Sequence, residues 1–106
     1  MGYFGFAYYG ENPDQVKAVA IDDGDGCVAP SLEAAMNGQY TPLSRPLFIY
    51  VADWGLEEPE VRDFTRFFVE QAATDLVSDV GYVPITEETR DEDLRRLDAA
   101  IEEVTA

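Results

Sequence analysis

No histidine occurs in the 106 residues, cysteine occurs once, at Cys27, and lysine once, at Lys17. Each scarcity excludes something. Without histidine there is no imidazole general base and no imidazole metal ligand. A lone cysteine rules out an intramolecular disulfide framework. Basic side chains number 7 against 22 acidic, for a formal net charge of −15. Such a surface repels phosphate polyanions, so nucleic acid is not expected as a partner. No apolar run approaches the roughly 20 residues of a membrane helix, and no charged-then-apolar leader pattern opens the chain.

What is present speaks for a folded protein. Hydrophobic residues make up 46% and aromatics 12%, too many for a chain kept disordered by its composition. The length suits one domain. An apolar interior under an acidic, lysine-poor surface points to adaptation to concentrated salt, where screening removes self-repulsion.

The pattern of elements predicts an α/β protein. The aromatic opening from Tyr3 to Tyr9 has high strand propensity. Glu11-Asn12-Pro13-Asp14 reads as a turn, Val16 to Ile21 as a short strand, and Asp22 to Gly26 as a loop. Ser31 caps a short helix through Met36, which Asn37-Gly38 stops. The proline-marked stretch Thr41 to Pro46 leads into Leu47-Phe48-Ile49-Tyr50-Val51, an unbroken apolar run that suits a strand covered on both faces. Pro59 opens a long helix that Gly81 ends, with Val61, Phe64, Phe68, Ala72, Leu76 and Val80 as its apolar stripe. A last helix begins near Thr86 or Thr89, where Thr89 to Glu92 fits a capping box, and it buries Leu94, Leu97, Ile101 and Val104. The order strand, strand, helix, strand, helix, helix implies a layered sheet with helices.

Candidate chemistry is thin. Aromatics on a first strand would suit RNA stacking, but Met1 is not basic, Phe4 interrupts the pattern, and the net charge is wrong. Asp22, Asp23 and Asp25 lie in a glycine-containing loop, yet calcium-loop spacing puts Ile21 and Leu32 at positions that must supply ligands. A solvated turn explains the acids better. Cys27 has no cationic neighbour in sequence to favour a thiolate. Ser31 is a helix cap, and Phe64 and Phe68 are core positions. Gly24 and Gly26 are not followed by a phosphate-loop pattern. No nucleophile–base pair or metal cluster can be assembled, so neither enzyme chemistry nor a cofactor is expected.

Several stretches together resemble one family. Gly2 to Tyr9, Lys17 to Ile21, Val28 to Ser31 and Tyr40 to Val51 are similar, in order and spacing, to the carboxy-terminal portion of the phosphate-binding protein of phosphate ABC transporters. Val80-Gly81-Tyr82-Val83-Pro84 continues the match. The resemblance implies a partial type II periplasmic-binding-protein-like fold. Residues 1–41 would be part of one lobe, 42–46 the hinge crossover, and 47–106 part of the other lobe. It also implies capture of inorganic phosphate outside the cell or in the periplasm and delivery to a membrane permease. The family holds phosphate with hydroxyls, helix N-terminal amides, an arginine and an aspartate in loops upstream of the matched region. No ligand residue is therefore carried over, and Arg45 reads as a hinge or surface cation. A truncated sheet would leave strand edges open, which implies a homo-oligomer or element-swapped dimer. The alternative is a stand-alone acidic α/β protein-interaction module. Salt adaptation predicts a melting temperature that rises by several degrees from low to molar potassium chloride, and a flat or falling value in a thermal scan would refute it.

Overall fold

Helix start and stop signals decide most of the local structure. The computed structural model describes residues 1–106. Helix α1 spans Phe6–Glu11, strands β1 and β2 are Ile21–Asp22 and Cys27–Val28, and α2 is Leu32–Met36. A 3-10 turn at Asp53–Glu57 precedes α3 (Pro59–Gln71), α4 (Asp75–Asp79) and α5 (Glu87–Thr105). The chain is thus mostly helical with one two-stranded sheet, compatible with the α/β class.

The caps follow the sequence signals. The Ser31 hydroxyl accepts the Ala34 N–H at 3.0 Å and starts α2. At its end Gly38 has φ +67, and Gly38 and Gln39 donate to Ala35 and Ala34 carbonyls at 3.3 and 2.8 Å. That pair of bonds is a Schellman stop, which needs the left-handed conformation glycine adopts without strain. The same geometry closes α4: Gly81 has φ +88, and Gly81 and Tyr82 donate to Ser78 and Val77. At α5 the cap is Thr86, whose hydroxyl accepts the Thr89 N–H.

Several expectations require correction. The aromatic opening is not a strand. Gly5 caps α1; Phe4, just before the helix, stacks on Tyr8 at 5.2 Å, and within it Phe6 meets Tyr9 at 6.0 Å. A strand needs a neighbour to satisfy its backbone, and none lies alongside. Helical bonds satisfy it locally, so propensity is overridden.

Of the stretch Val16 to Ile21, only Ile21 enters a strand, paired with Val28 in the two-residue hairpin. The long helix is broken. Thr74 takes an extended conformation, its hydroxyl donates to the Gln71 carbonyl at 2.7 Å, and a new helix starts at Asp75. The break leaves the Ala72 carbonyl free, and Ile85 N–H occupies it at 2.9 Å. Finally, Leu47 to Val51 belongs to no helix or strand and pairs with nothing, so no layered sheet forms within the chain.

The core lies where the 3-10 turn, α3 and α5 meet. Leu56 is 3% exposed and Leu97 8%, with Gly55 and Thr65 also buried. Leu94, Ile101 and Val104 are half-buried along the same face of α5. The stripe expected as core is instead outward: Phe64, Phe68, Leu76 and Val80 are all exposed. An ion pair between Arg66 and Asp98 links α3 to α5 at the rim. Its hydrogen bond from Arg66 to Asp98 is the main reason the guanidinium is held above its ordinary pKa.

Leu97→Ala should cost about 2–3 kcal/mol, because it opens a cavity at the point where three elements meet. Asp98→Ala should cost less than about 1 kcal/mol, since the pair is solvent-exposed. Urea unfolding followed by circular dichroism measures both, and an ordering reversed from this one would place the stabilising contact at the rim.

Candidate functional site

The residues that sequence offers for chemistry are dispersed in the fold. Asp22 serves the backbone: its Oδ1 accepts the Gly24 and Gly26 N–H groups at 2.8 and 3.1 Å, closing the loop between β1 and β2. Gly24 and Gly26 have φ +112 and +106, which a side chain would strain. One Asp22 oxygen thus accepts two backbone donors. No three His, Cys, Asp or Glu side chains gather closely enough to hold a metal ion.

Cys27 is free and exposed on β2. Ser31 is spent on its cap. Arg45 is exposed and donates from Nη1 to the Leu43 carbonyl at 3.2 Å, making no ion pair. No helix is long and apolar enough to cross a membrane.

What the structure does bring together is apolar. The extended run folds back toward α3 and leaves an open groove of about 360 Å³, lined among others by Ile49, Tyr50, Val51, Trp54, Phe64 and Phe68. Tyr50 is 92% exposed, Trp54 77% and Phe64 67%. No arginine or lysine lines the groove. A tight anion site needs converging charged or amide donors that replace the ion's water, and this surface is not one. Sequence periodicity identified Phe64 and Phe68 as members of an apolar face but assigned them to a core. The groove escaped that reading because it depends on Leu47 to Val51 having no cover.

Beside the groove lies an unusual length of free backbone. From Arg45 through Val51 no main-chain N–H or C=O makes a backbone hydrogen bond; the bonds resume with Gly55 donating to Ala52. Leu47 and Phe48 are 76% and 70% exposed. The run therefore presents two open edges and two apolar faces to solvent.

Comparison with known proteins places the chain beside phosphate-binding proteins. It is 37% identical over 99 residues to phosphate-binding protein PstS of Staphylococcus haemolyticus, covering 92% of this chain and 31% of the relative. PstS of Staphylococcus aureus strain USA300 is 36% identical over 104 residues, 96% of this chain and 31% of that protein. Protein SphX of Synechocystis is 45% identical over 89 residues, 83% of this chain and 26% of its own length. The chain thus spans between a quarter and a third of the relatives it matches. The resemblance read from its residues is shown along most of its length. No family model matches, and no solved structure does.

Asp22→Ala should loosen the β1–β2 loop by about 1 kcal/mol, because two backbone donors lose their acceptor. Hydrogen exchange at Gly24 and Gly26 should accelerate in the variant, and unchanged protection at both would show that Asp22 does not hold the loop.

Proposed function

We propose that this chain is a carboxy-terminal part of the phosphate-binding component of a phosphate ABC transporter. In that role it helps capture inorganic phosphate outside the cell or in the periplasm, for a membrane permease, and performs no catalysis. The observation that carries the reading is the 37% identity to a phosphate-binding protein over 92% of the chain. On this reading residues 1–41 belong to one lobe, 42–46 to the crossover and 47–106 to the other lobe. The layered sheet of a periplasmic-type binding protein would then be completed by polypeptide beyond these residues.

Two features support the reading. Leu47 to Val51 has the composition of a buried strand, and its backbone is free to pair with a neighbour. The groove beside it offers an anion no cation, which fits a part whose phosphate ligands lie elsewhere. The exposed apolar groove also favours a second reading, a stand-alone acidic interaction module of a halophile, in which the surface serves a protein partner and phosphate has no role.

A chimera separates the two. When this chain replaces the matching 99 residues of the Staphylococcus haemolyticus protein, the product should retain phosphate binding by isothermal titration. The 106-residue chain alone should give no one-site isotherm of about micromolar strength, worth roughly 8 kcal/mol. A folded chimera that no longer binds phosphate overturns the transport reading, and tight binding by the chain alone overturns the placement of the ligands.

A further inference from the structure

We propose that Asn37 is a self-modifying site. Its side-chain amide is lost through ring closure with the Gly38 nitrogen, at a rate set by how often α2 opens, and the product releases α2 from its stop. The proposal does not depend on the phosphate reading.

The first argument is the chemistry of the pair. The Gly38 main-chain nitrogen bonds to Asn37 Cγ, the Cγ–Nδ2 bond breaks, and ammonia leaves with the proton that Gly38 gives up. Water then opens the five-membered imide on one side of that nitrogen or the other. Cleavage at Cγ gives aspartate at position 37, and cleavage at the main-chain carbonyl gives isoaspartate, which routes the backbone through the side chain. Glycine suits the step because no β-carbon crowds its nitrogen. Space is open too: a Cβ placed on Gly38 would meet nothing within 4 Å, and Asn37 is exposed. The other asparagine, Asn12, precedes Pro13, whose nitrogen has no proton to give up. Its Nδ2 also donates to the Tyr8 carbonyl at 3.0 Å. Asp23 and Asp25 precede glycines as well, but a carboxylate is a poorer electrophile than an amide, and Asp22 holds both glycine N–H groups.

The second argument is that the fold restrains this reaction, and does so weakly. At Asn37 ψ is 0, which turns the Gly38 nitrogen toward Asn37's own main-chain nitrogen and away from its side chain. The Gly38 N–H is also engaged with the Ala35 carbonyl. Ring closure therefore requires the Schellman stop to open. At 3.3 Å that bond is a long one. Helix α2 has 5 residues and buries only Ala34. A helix so short draws little stability from its own hydrogen bonds, and such elements open locally well below the cost of global unfolding. One side-chain cap, Ser31 on the Ala34 N–H, holds its start.

The third argument is what the product does. The imide nitrogen carries no hydrogen, so the bond to Ala35 is lost as the ring closes. Isoaspartate then leaves an extra methylene in the main chain, which displaces Gly38 and Gln39 from the carbonyls they serve. Even the aspartate product opposes the helix, because a carboxylate there meets the negative end of the dipole, and α2 has no basic residue in its last turn. The disturbance reaches the residues that follow. The Ala35 carbonyl also accepts the Ser44 hydroxyl at 3.2 Å, and Ser44 N–H donates to the Tyr40 carbonyl at 2.6 Å. The end of α2 is thus the anchor of the stretch that leads to Pro46.

The test incubates the 106-residue chain in mildly alkaline buffer and follows it by tryptic peptide mass spectrometry. The peptide that begins at Ala18 should gain the mass difference between an amide and an acid, located at Asn37, while the peptide that ends at Lys17 keeps its Asn12 amide. The reaction should be faster in urea, where the stop is gone. Ser31→Ala removes the cap, so it should raise the rate in buffer about fivefold and leave the rate in urea unchanged. Asn37→Gln should remove the mass gain, and circular dichroism confirms that each variant is folded in buffer. In the converted chain, hydrogen exchange at Gly38 and Gln39 should be faster than before conversion. An Asn37 amide still intact in buffer after about a hundred times the period that converts it in urea overturns the proposal, because α2 would then open as rarely as a packed core element. So do equal rates in buffer and urea, a Ser31→Ala rate equal to that of the unsubstituted chain, or unchanged exchange at Gly38 and Gln39 after conversion.

Discussion

Burial of Leu56 and Leu97 between the 3-10 turn, α3 and α5 is the contact on which the carboxy-terminal half of the molecule depends. Neither α3 nor α5 is stabilised by its sequence alone. Short helices in water are marginal, and their stability comes from the apolar face they bury. Here that face is small. Gly55 and Thr65 are buried with the two leucines, and the Arg66–Asp98 pair adds only a screened contact at the rim. The first forty residues are held by local devices: the α1 aromatic stack, the Asp22 loop and the Ser31 cap. One long-range polar bond, from the Tyr40 hydroxyl to the Val19 carbonyl at 2.7 Å, ties the hairpin's approach to the end of α2.

That uneven distribution explains what is legible in the sequence. Signals whose physics is local match the structure. Ser31, Gly38, Pro59 and Gly81 act through the backbone of their own turn, so no knowledge of the rest of the chain is needed. The apolar spacing of α5 is equally plain, because Leu94, Leu97, Ile101 and Val104 face the only substantial packing surface available.

Signals that require a partner mislead. Tyr3 to Tyr9 and Leu47 to Val51 both have the composition of strands, but a strand is a relation between two segments. Where the second segment is absent, one stretch curls into α1 and the other is left with its backbone unpaired. The break at Thr74 is hidden for a different reason. The apolar period runs through it from Val61 to Val80, and periodicity carries no information about a single extended residue. The threonine followed by Asp75, a cap-type residue before a first-turn acid, is the available clue.

The candidate site is less legible than the fold, since its character lies in what is uncovered. Composition supplies the apolar residues but does not say which are buried. Phe64 and Phe68 occupy helical positions equally suited to a core and to an interface, and only the place of α3 in the fold distinguishes these. Their exposure has an energetic meaning. Each aromatic left in water forgoes about 1.5–3 kcal/mol that burial would contribute, and several such residues cluster beside one groove. An 11.8 kDa chain has little stability to spare against that loss. The acidic surface sharpens the constraint, because most of the exterior repels another polypeptide of the same sign, while the uncharged strand and groove do not. Association with further polypeptide of the kind found in the longer relatives is therefore directed to the one region where burial is favourable and charge does not oppose it.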